Sequence, residues 1–145
     1  MLRLLLISIL PFFQVGPNWE SNFDVAKQKS FNENKIILIH FVHKSRDVKN
    51  VKLEKEIFET SEFVTYANNH LVLLKIDLGI EKNNFEKQFY HNSIIRERYN
   101  SVAIAPYTIV TDSDGKILKS WNHKQPLNSS DLISAIQTTI QANKQ

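Results

Sequence analysis

"FVHKSRDVKNVKLEKEIF", residues 41–58, decides how this chain is read. The end of an apolar strand runs into a polar turn, and a helix follows. The strand itself, "KIILIHF" from Lys35 to Phe41, is rich in β-branched side chains and short enough to be buried on both faces. His43 to Asn50 reads as a turn. The helix after it is expected to carry Val51, Ile57 and Phe58 inward, with Leu53 at its flank. This is the layout of an active-site segment, yet the chain contains no cysteine.

Outward from this segment the pattern alternates helix and strand. Trp19 to Asn32 is expected to be helical, with Phe23, Ala26, Lys27 and Phe31 near one face. After the turn-helix unit, "SEFVTYANNH" is a second helical piece with Ser61 as its cap, and "LVLLKID", Leu71 to Asp77, is another buried strand. Phe85, Phe89, Ile94, Ile95 and Tyr99 mark a further helix, with a break expected near His91 to Ser93. Tyr107 to Thr111 and Ile117 to Trp121 form a hairpin around "DSDG", where Gly115 takes positive φ. Ser129, Ser130 and Asp131 are expected to cap a last helix carrying Leu132, Ile133, Ile136 and Ile140 on one face. Crossover helices make the first two strands parallel, and the hairpin adds antiparallel ones. The fold class is α/β: a mixed sheet with helices on both faces.

Composition narrows the chemistry. A chain of 145 residues with 42% hydrophobic and 23% charged residues is a single folded domain. Without cysteine there are no disulfides, iron–sulfur clusters, thiolate zinc sites or dithiol redox steps. Three glycines leave no glycine-rich nucleotide loop. A net charge of +3 with signs mixed along the chain gives little support to nucleic-acid binding. The start, "MLRLLLISILPFFQVGPNW", sets one arginine before an apolar run too short for a membrane span. Residues 1–18 are therefore expected to be an export signal, and residues 19–145 the folded domain, periplasmic or extracellular. The alternative is a buried strand or an apolar tail.

Several segments together resemble the thioredoxin-like superfamily, especially its secreted members. "KIILIHF" resembles the strand before the redox loop, and "KLEKEIF", Lys52 to Phe58, the helix behind it. "EFVTYANNHLVLLKIDL" resembles the next helix and strand. "RYNSVAIAPYTIVTDSDGKIL" resembles the proline loop and hairpin. The resemblance covers about Trp19 to Ile140 and implies a three-layer α/β/α sandwich. It also implies a cis Ala105–Pro106 bond facing the redox loop. Ungapped alignment from Phe41 to Leu53 puts Asp47 and Asn50 where the family has its two cysteines, so the motif has become Asp-Val-Lys-Asn. His43 and Arg46 stand where glycine and tryptophan are usual.

Exchange between thiols and disulfides requires an attacking thiolate and a resolving thiol, and neither Asp nor Asn supplies one. Asp47 is expected to cap the helix instead. Asp47, His43 and His40 are close enough in sequence for acid–base work. However, no serine sits in a nucleophile-elbow setting, and His40 is expected to be a neutral, hydrogen-bonded core ring. His40, His43, His70, His91 and His123 lack zinc spacing, and "DSDG" lacks the closing ligands of a calcium loop. No metal or cofactor is expected. Lys44, Arg46, Lys49 and Lys52 form a basic patch diluted by Asp47, Glu54 and Glu56. In the family, the groove between redox loop and proline loop holds an extended peptide through backbone pairing. The resemblance thus implies a peptide groove built from His43, Arg46, Asp47, Val48, Ala105, Pro106 and Tyr107. The expectation is a non-catalytic module that binds a protein or peptide partner or acts on exported chains like a chaperone. The alternatives are a scaffold with an idle groove and a cysteine-independent enzyme.

Overall fold

The computed structural model describes residues 16–43, 47–125 and 127–144. Most of the expected export signal, and Arg46, lie outside the described residues. The order of elements is β1 (Trp19–Glu20), α1 (Phe23–Glu33), β2 (Ile36–Val42), α2 (Val48–Leu53), α3 (Ser61–His70), β3 (Leu71–Asp77), α4 (Glu86–Tyr99), β4 (Tyr107–Thr111), β5 (Ile117–Trp121) and α5 (Ser129–Ala142). A π-helical turn, Glu54–Phe58, continues α2. One sheet has the strand order β1-β3-β2-β4-β5. β3 is parallel to β1 and β2, whereas β4 is antiparallel to both β2 and β5.

Alternation along β2 sorts the core into two layers, because successive side chains point to opposite faces. Ile37, Ile39 and Phe41 pack with Phe23 and Ala26 of α1 and with Ile95 and Tyr99 of α4. Leu38 packs on the other side with Ile57, Phe58, Phe63 and Ala67, and with Leu132, Ile133 and Ile136 of α5. Removing these side chains from water, at about 25 cal/mol per Å² of apolar surface, is the dominant favourable term. The result is a three-layer α/β/α sandwich with a mixed central sheet.

Four local expectations are corrected. Trp19 and Glu20 are not helical but pair with Leu73 and Leu74 as the short edge strand β1. The helix starts only at Phe23, after Asn22 accepts the Val25 N–H. Val51 points outward and is 53% exposed. The Glu59 N–H bonds the Glu54 carbonyl, an i→i+5 step that shifts the helix phase, so Asn50, Ile57 and Phe58 face inward. The caps of α3 and α5 are Thr60 and Asn128, each one residue earlier than Ser61 and Ser129. α4 is unbroken through His91 to Ser93. Asn92 faces inward and donates to the Asp77 carbonyl (3.0 Å), which satisfies a polar group that looked like a helix break. Phe85 and Ile94, two of the residues that mark this helix in the sequence, are exposed.

Candidate functional site: a cleft between α2 and the Pro106 loop

Strand register brings two distant segments together. Phe41, near the end of β2, pairs with Tyr107, the first residue of β4. The end of β2 therefore lies beside the start of β4. Asp47 and Pro106 line one cleft of about 710 Å³, together with Leu53, Ile57, Ile104 and Ala105. Asn122, His123, Lys124, Gln125 and Leu127, from the segment after β5, close its far side. The Ala105–Pro106 peptide is cis.

Each wall has a local reason for its shape. On the helix side, the Asp47 carboxylate accepts the Lys49 N–H at 2.8 Å and caps α2. On the proline side, Asn100 is 4% exposed and grips Ile104 twice. Its Oδ1 accepts the Ile104 N–H (2.9 Å), and its Nδ2 donates to the Ile104 carbonyl (2.7 Å). Between them Ala103 is held at φ 54, the left-handed region that a non-glycine residue enters only when its neighbours hold it there.

Beneath the cleft runs a buried polar chain. His40 Nδ1 lies 2.8 Å from Thr108 Oγ1, which lies 2.7 Å from His123 Nε2. A hydroxyl has one proton, so it donates to one ring and accepts from the other. Burial holds the His40 imidazole well below the ordinary histidine value, and the charges of His123 and Lys75 push in the same direction. Burial takes His123 down to about 4. Both rings are therefore neutral at pH 7. Trp19 and Phe58 pack on His40, with ring centroids 6.0 and 4.7 Å away. Lys75 and Glu54 form a half-buried pair at 2.8 Å, and the ammonium sits 4.8 Å from the centroid of the Trp19 ring.

The residues singled out from sequence fall in different places. Asp47, Ala105 and Pro106 line the cleft. Tyr107 lines an adjoining hollow with Ile104, Trp121 and His123, and its ring packs against Phe41. Val48 is 84% exposed on the first turn of α2. His43 is half-buried directly after β2. Asn50 is buried, and neither its Oδ1 nor its Nδ2 finds a hydrogen-bond partner among the described residues. Sequence reading did not single out Asn100 or Thr108 and did not place His123 at this site. The only signal for Asn100 was its position just after a helix; the contribution of His123 depends on a backbone turn at φ 54. Among the described residues, no group of three metal-ligating side chains comes together. None of their helices is long and apolar enough to cross a membrane.

This sheet order, with a helix leaving the end of β2 opposite a proline loop entering β4, defines a thioredoxin-like α/β fold. No family model matches the chain. It is similar to the disulfide bond reductase DsbH of Chlamydia pneumoniae, at 22% identity over 130 residues, which are 90% of this chain and 76% of that protein. Among solved structures, the DsbH oxidoreductase superposes with a TM-score of 0.78 at 22% identity, over 96% of this chain and 94% of that one. The disulphide isomerase of Xylella fastidiosa Temecula1 superposes with a TM-score of 0.59 at 17% identity, over 79% and 86%. These relatives are named for disulfide chemistry, whereas this chain has no cysteine with which to perform it.

Proposed function

We propose that this chain is an exported, non-catalytic module that binds an extended segment of another polypeptide in the cleft between α2 and the Pro106 loop. The observation that carries this reading is the shared cleft of Asp47 and Pro106 in a chain without thiols. The cleft volume lies within the roughly 300–1,000 Å³ of ordinary binding pockets. Leu53, Ile104 and Leu127 offer apolar surface for the side chains of a bound segment. Val48, the residue after Asp47, and Val102, in the segment between α4 and Pro106, are 84% and 75% exposed.

In this reading Asp47 and Asn50 occupy the two positions at which relatives would exchange disulfides. Ala105, Pro106 and Tyr107 present the backbone to the bound strand. His43 and Val48 flank it, and residues 1–18 direct export. Strand addition gains affinity from main-chain hydrogen bonds and specificity from alternate side-chain pockets, so it requires no sulfur. The test is titration with a permanently unfolded, thiol-blocked polypeptide such as reduced, carboxymethylated lactalbumin. Saturable binding weakened by Tyr107→Ala is expected. No binding at millimolar concentration would leave an idle scaffold as the better account.

A further inference from the structure

The charges around the cleft are unevenly matched. Lys49 and Lys52 from α2 and Lys124 from the segment after β5 line the cleft, against the carboxylates of Asp47 and Glu56. The Asp47 carboxylate accepts the Lys49 backbone N–H and keeps its charge, and Glu56 lies 3.8 Å from Lys52, so the lining carries one positive charge in excess. Lys49 and Lys124 are exposed, and neither forms an ion pair among the described residues. Two ammonium groups without an ion pair among the described residues thus line the same cleft as the apolar side chains of Leu53, Ile104 and Leu127, one from α2 and one from the segment after β5.

We infer that the cleft selects extended segments in which aliphatic residues are flanked by carboxylates, with Lys49 and Lys124 contacting the acidic side chains. The inference rests on the peptide-binding reading above and adds the chemistry of the bound segment. A strand lying along the cleft sends alternate side chains into it and outward. Its aliphatic residues meet Leu53, Ile104 and Leu127, and flanking acidic residues reach Lys49 and Lys124. A basic segment would set like charges against Lys49 and Lys124 and leave them unneutralised, which favours acidic partners over basic ones.

The experiment uses the full chain and three fluorescein-labelled peptides that share an aliphatic centre: Glu-Val-Leu-Val-Glu, Gln-Val-Leu-Val-Gln and Lys-Val-Leu-Val-Lys. Fluorescence anisotropy gives each Kd, and amide chemical shifts at Ala105 and Tyr107 locate the site. We expect the Glu peptide to bind about three- to tenfold more tightly than the Gln peptide, as two exposed charge pairs allow. The Lys peptide should bind most weakly. The Glu–Gln difference should shrink at 1 M salt, where screening acts within about 3 Å. It should vanish in the Lys49→Gln, Lys124→Gln double variant, whose exposed positions leave folding intact. Equal binding of all three peptides with shifts at Ala105 and Tyr107 would overturn the charge inference and leave the peptide groove standing. An acidic preference that survives in the double variant would also overturn it. Failure of every peptide to bind would remove both.

Discussion

Phe41 and Tyr107 stand opposite each other in the β2–β4 ladder, with ring centroids 6.0 Å apart. This pairing sets the end of β2 against the start of β4, although the two are far apart in sequence. The polar His40–Thr108–His123 chain starts one residue along the same ladder, where His40 pairs with Thr108. The cleft and its buried support therefore share a single register. A one-residue slip would turn His40 to the other face of the sheet and misplace Pro106.

The Asn100 clamp should be worth about 2 kcal/mol, from two buried hydrogen bonds of about 1 kcal/mol each. Asn100→Ala is expected to lose that much in urea unfolding and to weaken peptide binding, since Ile104 and Ala105 lose their anchor. Unchanged stability and affinity would show that the loop is held some other way.

Asn50 should behave in the opposite sense. A buried amide such as Asn50, with no partner among the described residues, carries a desolvation cost of about 1–3 kcal/mol. Leucine repeats its branching without polar atoms, so Asn50→Leu is expected to leave stability unchanged or raise it by up to about 2 kcal/mol. A clear loss in chemical denaturation would mean that the amide makes a contact essential to the fold.

Stability should fall on the acid side before most carboxylates titrate. His40 and His123 both lie below the ordinary value of 6.5 in the folded state. Above pH 6.5 both rings are neutral whether the chain is folded or not, and they contribute no pH dependence. Below it the unfolded chain takes up protons that the folded chain refuses, so stability declines as the pH drops from 6.5 toward about 4. Urea midpoints at pH 7, 6 and 5 should follow this decline, and His123→Gln should flatten it. An equally steep decline in that variant would assign it to other groups.

Restoring sulfur tests the assignment of Asp47 and Asn50 as the emptied redox positions. The Asp47→Cys, Asn50→Cys double variant places one thiol at the cap of α2 and the other at an inward position on the same helix. It is expected to form an intrachain disulfide and to gain insulin-reducing activity over the original chain. A stable dithiol that neither oxidises nor turns over would place the emptied motif elsewhere.

Much of this architecture was legible in the primary structure. The β-branched runs of β2 and β3 and the period of α5 identify themselves because burial on both faces, or on one stripe, leaves a direct record. Val51 was misread because the π-helical turn changes the period in mid-helix, and no residue in "KLEKEIF" announces it. Trp19 was misread because a two-residue strand is too short to display alternation; only its pairing with Leu73 defines it. At the cleft, Asp47 and Pro106 were legible as positions in a motif. His123, Lys124 and Asn100 were not, since they arrive through loop geometry that depends on the whole sheet being in register.

The most direct test of the account is site-specific photo-crosslinking to a bound, cysteine-free extended peptide. Benzoylphenylalanine placed at Gln125, in the cleft wall, should capture the Glu-Val-Leu-Val-Glu peptide in a saturable manner and lose it to unlabelled competitor. The same probe at Thr138, exposed on α5 and outside the cleft lining, should capture little. Equal capture at both positions, or capture at Thr138 alone, would contradict a peptide seated between α2 and Pro106.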